Sequence, residues 1–352
     1  MFIPPIYTVE SVTSGHPDKI CDQISDAILD ECLRQDPLSR VAVECFGSHG
    51  LLVVGGEVTT SASVNFAEVV RRVVSEIGYD GDNLEVIDRV VKQSPEIARG
   101  VDEGGAGDQG IMYGYATDET PEFLPRGVVL AHKLARGLET LRRNETLPWL
   151  RPDGKTQVTM VNGRVRTILV STQHDETVLL GEVRGGVFKH LIAPIIEAYQ
   201  TYLGSSKEEQ TRFIVNPAGA WSVGGFEADT GLTGRKIMVD TYGGLISHGG
   251  GCFSGKDATK VDRSGAYMAR FVARDLVSRG EAKQCLISVA YAIGVADPVM
   301  MTAHDEQGRD LSHLAKVYDF RPQAIIERLD LRKPIFRPTA CYGHFGRETV
   351  WG

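Results

Sequence analysis

What most restricts the fold of this chain is how its hydrophobic residues recur. Helix-like and strand-like periods alternate, and the strand-like runs arrive partly in adjacent pairs. Six segments read as helices. Pro17 opens the first, with Ile20, Ile24, Ile28 and Cys32 at four-residue spacing, and Asp36-Pro37 closes it. The second runs from about Ser61 through Phe66, Val69, Val70, Val73, Val74 and Ile77 to a stop at Gly78. The others cover Arg126 to Arg143, Val187 to Tyr202 with a break near Pro194, Asp262 as a cap to just before Gly280, and Arg321 to Leu329. Strand-like runs are Val41 to Phe46, Leu51 to Val58, Ile111 to Ala116, Gln157 to Val161, Val165 to Thr172, Phe213 to Val215, Lys236 to Val239 and Cys285 to Ile293. The pattern predicts an α+β chain of three units of similar plan, and the adjacent strand pairs argue against one doubly wound parallel sheet.

The chain has 352 residues and a net charge of −8. An acidic chain of this size holds several core units and meets any anion through a local basic cluster, not through bulk charge, so nucleic-acid binding is not expected. No apolar run approaches the length of a membrane-spanning helix, and Met1 to Val9 lacks the pattern of a signal peptide. The six cysteines form no Cys-x-x-Cys pair, which predicts scattered reduced thiols and a cytoplasmic protein.

One loop concentrates the chemistry. Gly249-Gly250-Gly251-Cys252-Phe253-Ser254-Gly255-Lys256-Asp257 satisfies G-x-x-x-x-G-K from Gly250, but Asp257 stands where a P-loop needs Ser or Thr for magnesium, so phosphoryl transfer of the kinase type is disfavoured. Glycine backbone amides and Lys256, Lys260 and Arg263, with Arg235-Lys236 upstream, still suit a phosphate chain. Gly105 to Gly110 fits G-x-G-x-x-G but lies before a strand, not between strand and helix, which counts against dinucleotide binding. Gly15-His16-Pro17-Asp18-Lys19 opens the first helix, where an anion can sit, with His16 and Lys19 able to donate to phosphate and Asp18 and Asp262 available to magnesium.

These strings, with Glu10-Ser11-Val12, Leu147 to Asp153, Gly231 to Lys236, Tyr291 to Ala296 and Gly343 to Arg347, lie in the order found in S-adenosylmethionine synthases, which the chain resembles from about Tyr7 to Glu348. The resemblance implies three βαββαβ-like units around a pseudo-threefold axis, here about 1–100, 101–225 and 226–352 and intertwined. It implies that ATP and L-methionine are joined by attack of the thioether sulfur on the 5′ carbon, with the tripolyphosphate then hydrolysed. A thioether needs no deprotonation, which agrees with the lack of a Ser-His or Cys-His pair. Subunits would form a homodimer with active sites at the interface, often paired into a homotetramer.

By the same resemblance His16 contacts the leaving oxygen. Lys155, Arg235, Lys236, Lys256 and Lys260 line the tripolyphosphate channel, Lys256 and Lys260 also lying toward methionine. Asp153, Trp221, Asp229, Cys252 and Ile293 meet the nucleoside side of ATP, and Glu57, Gln93, Asp108 and Asp229 meet methionine. Asp18 and Asp262 hold Mg²⁺, and Glu44 holds K⁺. Three departures stand out: Ala220 where the family carries a basic residue, Cys252 where Ala is usual, and a short lid at Ser94 to Glu103 with an abbreviated tail after Glu348. A non-catalytic ATP-binding homologue is the rival reading, against which His16, Asp18, Lys155, Lys256 and Asp262 stand together.

Overall fold

The computed structural model describes residues 2–92, 104–199 and 210–352. Strand β1 (Ile6–Val12) leads into helix α1 (Pro17–Gln35), then the hairpin β2 (Arg40–Ser48) and β3 (Leu51–Thr59), helix α2 (Phe66–Ile77), β4 (Glu85–Val91) and β5 (Gly110–Thr117). Helix α3 (Arg126–Arg143) and the hairpin β6 (Leu150–Val161) and β7 (Arg164–His174) follow, then α4 (Leu180–Val187), a five-residue π-helical turn Phe188–Ile192, α5 (Ala193–Ala198) and β8 (Arg212–Val215). The last third holds β9 (Gly231–Leu232), α6 (Ile237–Asp240), α7 (Val261–Ser278), β10 (Gln284–Tyr291), β11 (Met300–Asp305), α8 (Ser312–Ala315) and α9 (Pro322–Leu329).

Among the described residues there are three sheets, ordered β1-β6-β7-β8, β11-β10-β5 and β4-β3-β2-β9. Pairing is antiparallel apart from β3–β4 and β7–β8. Each sheet draws strands from distant stretches of chain: β1 pairs with β6, β5 with β10, and β9 with β2. Helices with one apolar face cover the inner side of the sheets, so that Ile20, Ile24, Ile28, Val41, Val43, Val70, Val158, Val272 and Ile287 join one buried core.

Local chemistry fixes the element ends. Asn65 caps α2 by accepting the Glu68 N–H at 3.2 Å, so the helix starts at Phe66 and not near Ser61, and Gly78 ends it in the left-handed region at φ 114°. The break near Pro194 takes the form of the π-helical turn just before it. The segment Lys236 to Val239 is not a strand: its apolar residues form the single turn α6, because the Asp240 N–H bonds to the Lys236 carbonyl at 2.9 Å and Asp240 turns into the core. Strands β1, β4, β9 and β11 escape the sequence pattern, as do α4 and α8.

Candidate active site

Helix α1 organises the site. Its apolar stripe packs on the core, while Asp18, Asp22, Asp26 and Asp30, spaced by four, are buried along another line of the same helix. Each accepts backbone N–H groups from a loop remote in sequence: Leu232 at 3.0 Å to Asp18, Gly234 at 2.8 Å to Asp22, Gly255 at 2.9 Å to Asp26, and Phe336 and Arg337 at 2.9 Å to Asp30.

A first cluster gathers at the start of α1. His16 is 4% exposed, and its Nδ1 accepts the Asp18 N–H at 3.2 Å. Burial, with Lys236 and Lys155 nearby, pushes its pKa down to about 3 against the pull of Asp18. The imidazole is therefore neutral at physiological pH, and the tautomer selected by the Nδ1 bond carries its proton on Nε2. Burial alone would raise the Asp18 carboxyl, but Lys236 at 2.6 Å and the Leu232 N–H hold it below its ordinary range. Arg235 lies 3.5 Å from the other Asp18 oxygen. Lys155 is exposed on β6, two residues past Asp153. The Asp153 Oδ2 accepts the Gly225 N–H at 3.0 Å, its Oδ1 is buried with no partner among the described residues, and burial lifts its pKa to about 6. Gln173 ties this corner together, accepting the Asp153 N–H and donating to the Ser222 carbonyl beside Trp221. Trp221 is half-buried, its backbone N–H donating to His174 Nε2 at 3.2 Å. Asp229 is exposed and bonds the Thr230 N–H.

A second cluster forms on the Gly249 to Asp262 loop. Lys256 pairs with Asp262, and Lys260 with Asp257. Burial opposes the charge on Lys256, yet the Asp262 carboxylate paired with it holds the ammonium above its ordinary value. Burial pushes the half-buried Cys252 thiol up to about 11, so it is protonated and inert at neutral pH. Asp257 is a staple: it accepts the Val41 N–H at 2.7 Å and the Thr259 N–H at 2.8 Å, and its own N–H bonds the Val41 carbonyl. The loop glycines answer to the protein as much as to a ligand. A Cβ on Gly255 would stand 1.9 Å from the Val43 carbonyl oxygen at φ +81°, and one on Gly249 would stand 1.7 Å from that of Ile111.

Pairing registers place the remaining residues. Lys256 bridges to Ala42, which faces Glu57 on β3, which faces Val91 on β4. Glu44 lies on the outward face of β2 opposite Gly55. Gln93 and the lid expected at Ser94 to Glu103 lie outside the described residues. Ala106 bridges to Ile293, which is 59% exposed, and Asp108 sits exposed in the connection that brings Gly110 beside Asp262.

The structure thus brings the expected residues into two groups and does not join them. Leu232, bound to Asp18, pairs with Phe46, whereas Lys256 pairs with Ala42; four residues along β2 separate them by about 13 Å. Cys252 packs on Gly234 between the groups. Lys19, which the sequence offered to phosphate, is fully buried on Asp22 and Asp240 and cannot reach it. The sequence reading missed Asp22, Asp26 and Gln173, and it took Asp257 only as a break in the P-loop pattern; the four-residue spacing of the α1 aspartates was the available signal.

Family models match nearly the whole length: S-adenosylmethionine synthetase N-terminal domain over residues 5–96, central domain over 103–221 and C-terminal domain over 223–352. The S-adenosylmethionine synthase of Desulforudis audaxviator is 50% identical over 97% of this chain and 93% of its own. That of Staphylococcus epidermidis is 46% identical over 98% and 94%. With all three domains in order and relatives this similar end to end, the chain belongs to the S-adenosylmethionine synthetase family.

Proposed function

We propose that this protein is a methionine adenosyltransferase, making S-adenosylmethionine from ATP and L-methionine and cleaving the released tripolyphosphate to phosphate and diphosphate. The observation that carries the reading is a buried, neutral His16 with Lys155, Arg235 and Lys236 around it. The thioether lone pair forms the sulfur–C5′ bond as the C5′–oxygen bond breaks, and the electron pair leaves on the tripolyphosphate. No base is needed; alignment and stabilisation of the departing charge are. The Nε2–H of His16 donates to the leaving oxygen, and Lys155, Arg235, Lys236, Lys256 and Lys260 hold the phosphates. Asp153, Trp221, Asp229, Cys252 and Ile293 take the nucleoside, and Glu57, Gln93, Asp108 and Asp229 take methionine.

The donor set suits Mg²⁺ in the manner of phosphate enzymes. Among the described residues no group of three or more His, Cys, Asp or Glu could hold an ion alone. Asp18 and Asp262 instead offer one hard carboxylate each, the usual protein share when substrate phosphates supply the rest. Bound there, Mg²⁺ would neutralise charge on the leaving group, and Glu44 would hold K⁺.

The two separated groups support a homodimer, with the first group of one copy facing the second group of its partner. The outward face of β2, β3 and β4 carries Phe46, 39% exposed, and Val91, 60% exposed, with Glu44, Gly55, Glu57 and Arg89 among them, a mixed apolar and charged sheet face fit for a second copy. Such dimers could pair into a tetramer. A cytoplasmic location accords with six free cysteines. No described helix is long and apolar enough to cross a membrane.

The test is incubation with ATP, methionine, Mg²⁺ and K⁺, followed by mass spectrometry. S-adenosylmethionine with phosphate and diphosphate supports the reading. ADP as the product, or ATP binding without turnover, overturns it. Sedimentation alongside the assay checks the assembly, because a fully active monomer would refute the shared site.

A further inference from the structure

The segment bearing Arg235 and Lys236 is held from two sides. On one side its Thr233 N–H bonds the Cys45 carbonyl at 3.0 Å, and Gly231 and Leu232 pair with Gly47 and Phe46. On the other, the alternate N–H groups of Leu232 and Gly234 meet Asp18 and Asp22 on α1. The match is metric: four helical residues advance about 6 Å and two strand residues about 6.6 Å. The aspartates thus serve as a second strand edge. Asp22 is fully buried and shares the Lys19 ammonium, at 2.9 Å, with the fully buried Asp240, which closes α6 four residues after Lys236.

One cation facing two carboxylates leaves one negative charge in excess in a dry core. His344 does not offset it: its Nε2 lies 3.8 Å from Asp240, but burial beside Arg263 and Lys19 keeps the ring neutral. The nearby Arg263 is taken up by Asp26. Burial raises the Asp22 carboxyl well above its ordinary range, although Lys19 and the Gly234 N–H oppose this. Lys19 and Asp240 would balance without Asp22, so charge neutrality does not explain its presence. What it uniquely touches is Gly234, whose left-handed φ of +80° turns the chain toward Arg235 and Lys236.

We propose that Asp22 is a positioning residue for the reaction, fixing through Gly234 where Arg235 and Lys236 meet the phosphate chain. This rests on the adenosyltransferase reading. The variant is Asp22→Asn, which leaves Lys19 and Asp240 as a balanced pair. Lys19 and Gly234 donate to different oxygens of Asp22, and the amide keeps only one of them, which the Lys19 ammonium takes as the stronger donor. Four proteins are compared, wild type, Asp22→Asn, Lys236→Met and the double variant, by kcat/KM for ATP, by hydrolysis of inorganic tripolyphosphate, and by thermal unfolding.

Asp22→Asn removes the excess buried charge while stranding the Gly234 N–H, so it is expected to unfold within a few degrees of wild type. It should lose about tenfold in kcat/KM and in tripolyphosphate hydrolysis, and the loss should shrink to under threefold in the Lys236→Met background, since both act through one contact. A lowered unfolding temperature that accounts for the activity loss overturns the proposal. So does a loss that multiplies in the double variant, or no loss at all. If Asp22→Asn does not fold, Asp22→Leu, which also leaves the Lys19–Asp240 pair, takes its place with the same outcomes. A wild type that hydrolyses tripolyphosphate yet makes no sulfonium would defeat the adenosyltransferase reading and leave the Asp22 comparison intact.

Discussion

Asp26 and Arg263 anchor the lysine-bearing loop from inside the core, and breaking them makes a graded prediction. Both side chains are fully buried, and Arg263 forks onto Asp26 with both nitrogens at 2.7 Å. Asp26 also accepts the Gly255 N–H at 2.9 Å, Arg263 donates to the Lys256 carbonyl at 2.9 Å and to Tyr267 at 3.1 Å, and its guanidinium lies 4.2 Å over Phe336. Asp26→Leu or Arg263→Met alone strands a buried charge, at a cost of about 3–5 kcal/mol. The double variant strands none. It leaves the Gly255 N–H and the Lys256 carbonyl short of a partner, about 1–3 kcal/mol where they stay dry. The double should therefore cost no more than either single, a coupling of at least about 3 kcal/mol. Urea unfolding at one fixed protein concentration reads this, since subunit dissociation would otherwise enter. Singles costing under about 1 kcal/mol, or a double equal to their sum, would refute the buried-pair reasoning. The double should also lose tenfold or more in kcat/KM though folded, because Lys256 loses its anchor; wild-type kcat/KM there would refute the anchoring.

Three further outcomes follow from the geometry. Asp153 titrates near pH 6, so kcat/KM for ATP should fall on the acid side of that value and Asp153→Asn should flatten the fall; in stability the sign is opposite, its burial penalty being full above pH 6 and relieved as pH drops toward 3.8. Asp257→Ser completes a P-loop pattern from Gly250, yet it removes the acceptor for Val41, Thr259 and Lys260; it should lower stability by about 2 kcal/mol in urea unfolding and release no ADP from ATP. Gly255→Ala should lower stability by about 3 kcal/mol or more, since its Cβ would overlap the Val43 carbonyl in a left-handed residue, and a loss under about 1 kcal/mol would count against the tight approach.

The legible and illegible parts of this chain divide along physical lines. Helix α3 runs from Arg126 to Arg143 as its periodicity predicts, because local pattern and burial agree there. Lys236 to Val239 misled because Ile-Met-Val suits strand and helix equally; the turn is set by Asp240 entering the core beside Lys19. The glycines of the Gly249 loop suggested a phosphate cradle from composition, whereas Gly249 and Gly255 are required by carbonyls of Ile111 and Val43, contacts that exist only once β5 and β2 are in place. Asp18 looked like a metal ligand. That Asp22, Asp26 and Asp30 repeat its spacing was readable; that each takes an N–H from a loop so far along the chain was not.

The ion pairs of the site also set how a polyanion must enter. Lys236 is engaged by Asp18 at 2.6 Å, Lys256 by Asp262 and Lys260 by Asp257, so most of the site's cations are not free to receive phosphate at full strength. Inorganic tripolyphosphate offered without a divalent cation has to compete with Asp18 and Asp262 for their lysines, and it suffers repulsion from both carboxylates. Asp18→Asn or Asp262→Asn removes that competition, and each should tighten metal-free tripolyphosphate binding on the order of tenfold, about 1.4 kcal/mol, measured by calorimetry in chelator. The same variants should lower turnover with Mg²⁺ present, because the carboxylate that hinders the naked anion is then the ligand that holds the metal. Opposite signs in the two assays are what separates a carboxylate shared between ammonium and metal from one that only shapes the loop. Weakened binding in chelator would show that these aspartates orient the lysines toward phosphate instead of withholding them, and would refute the competition argued here.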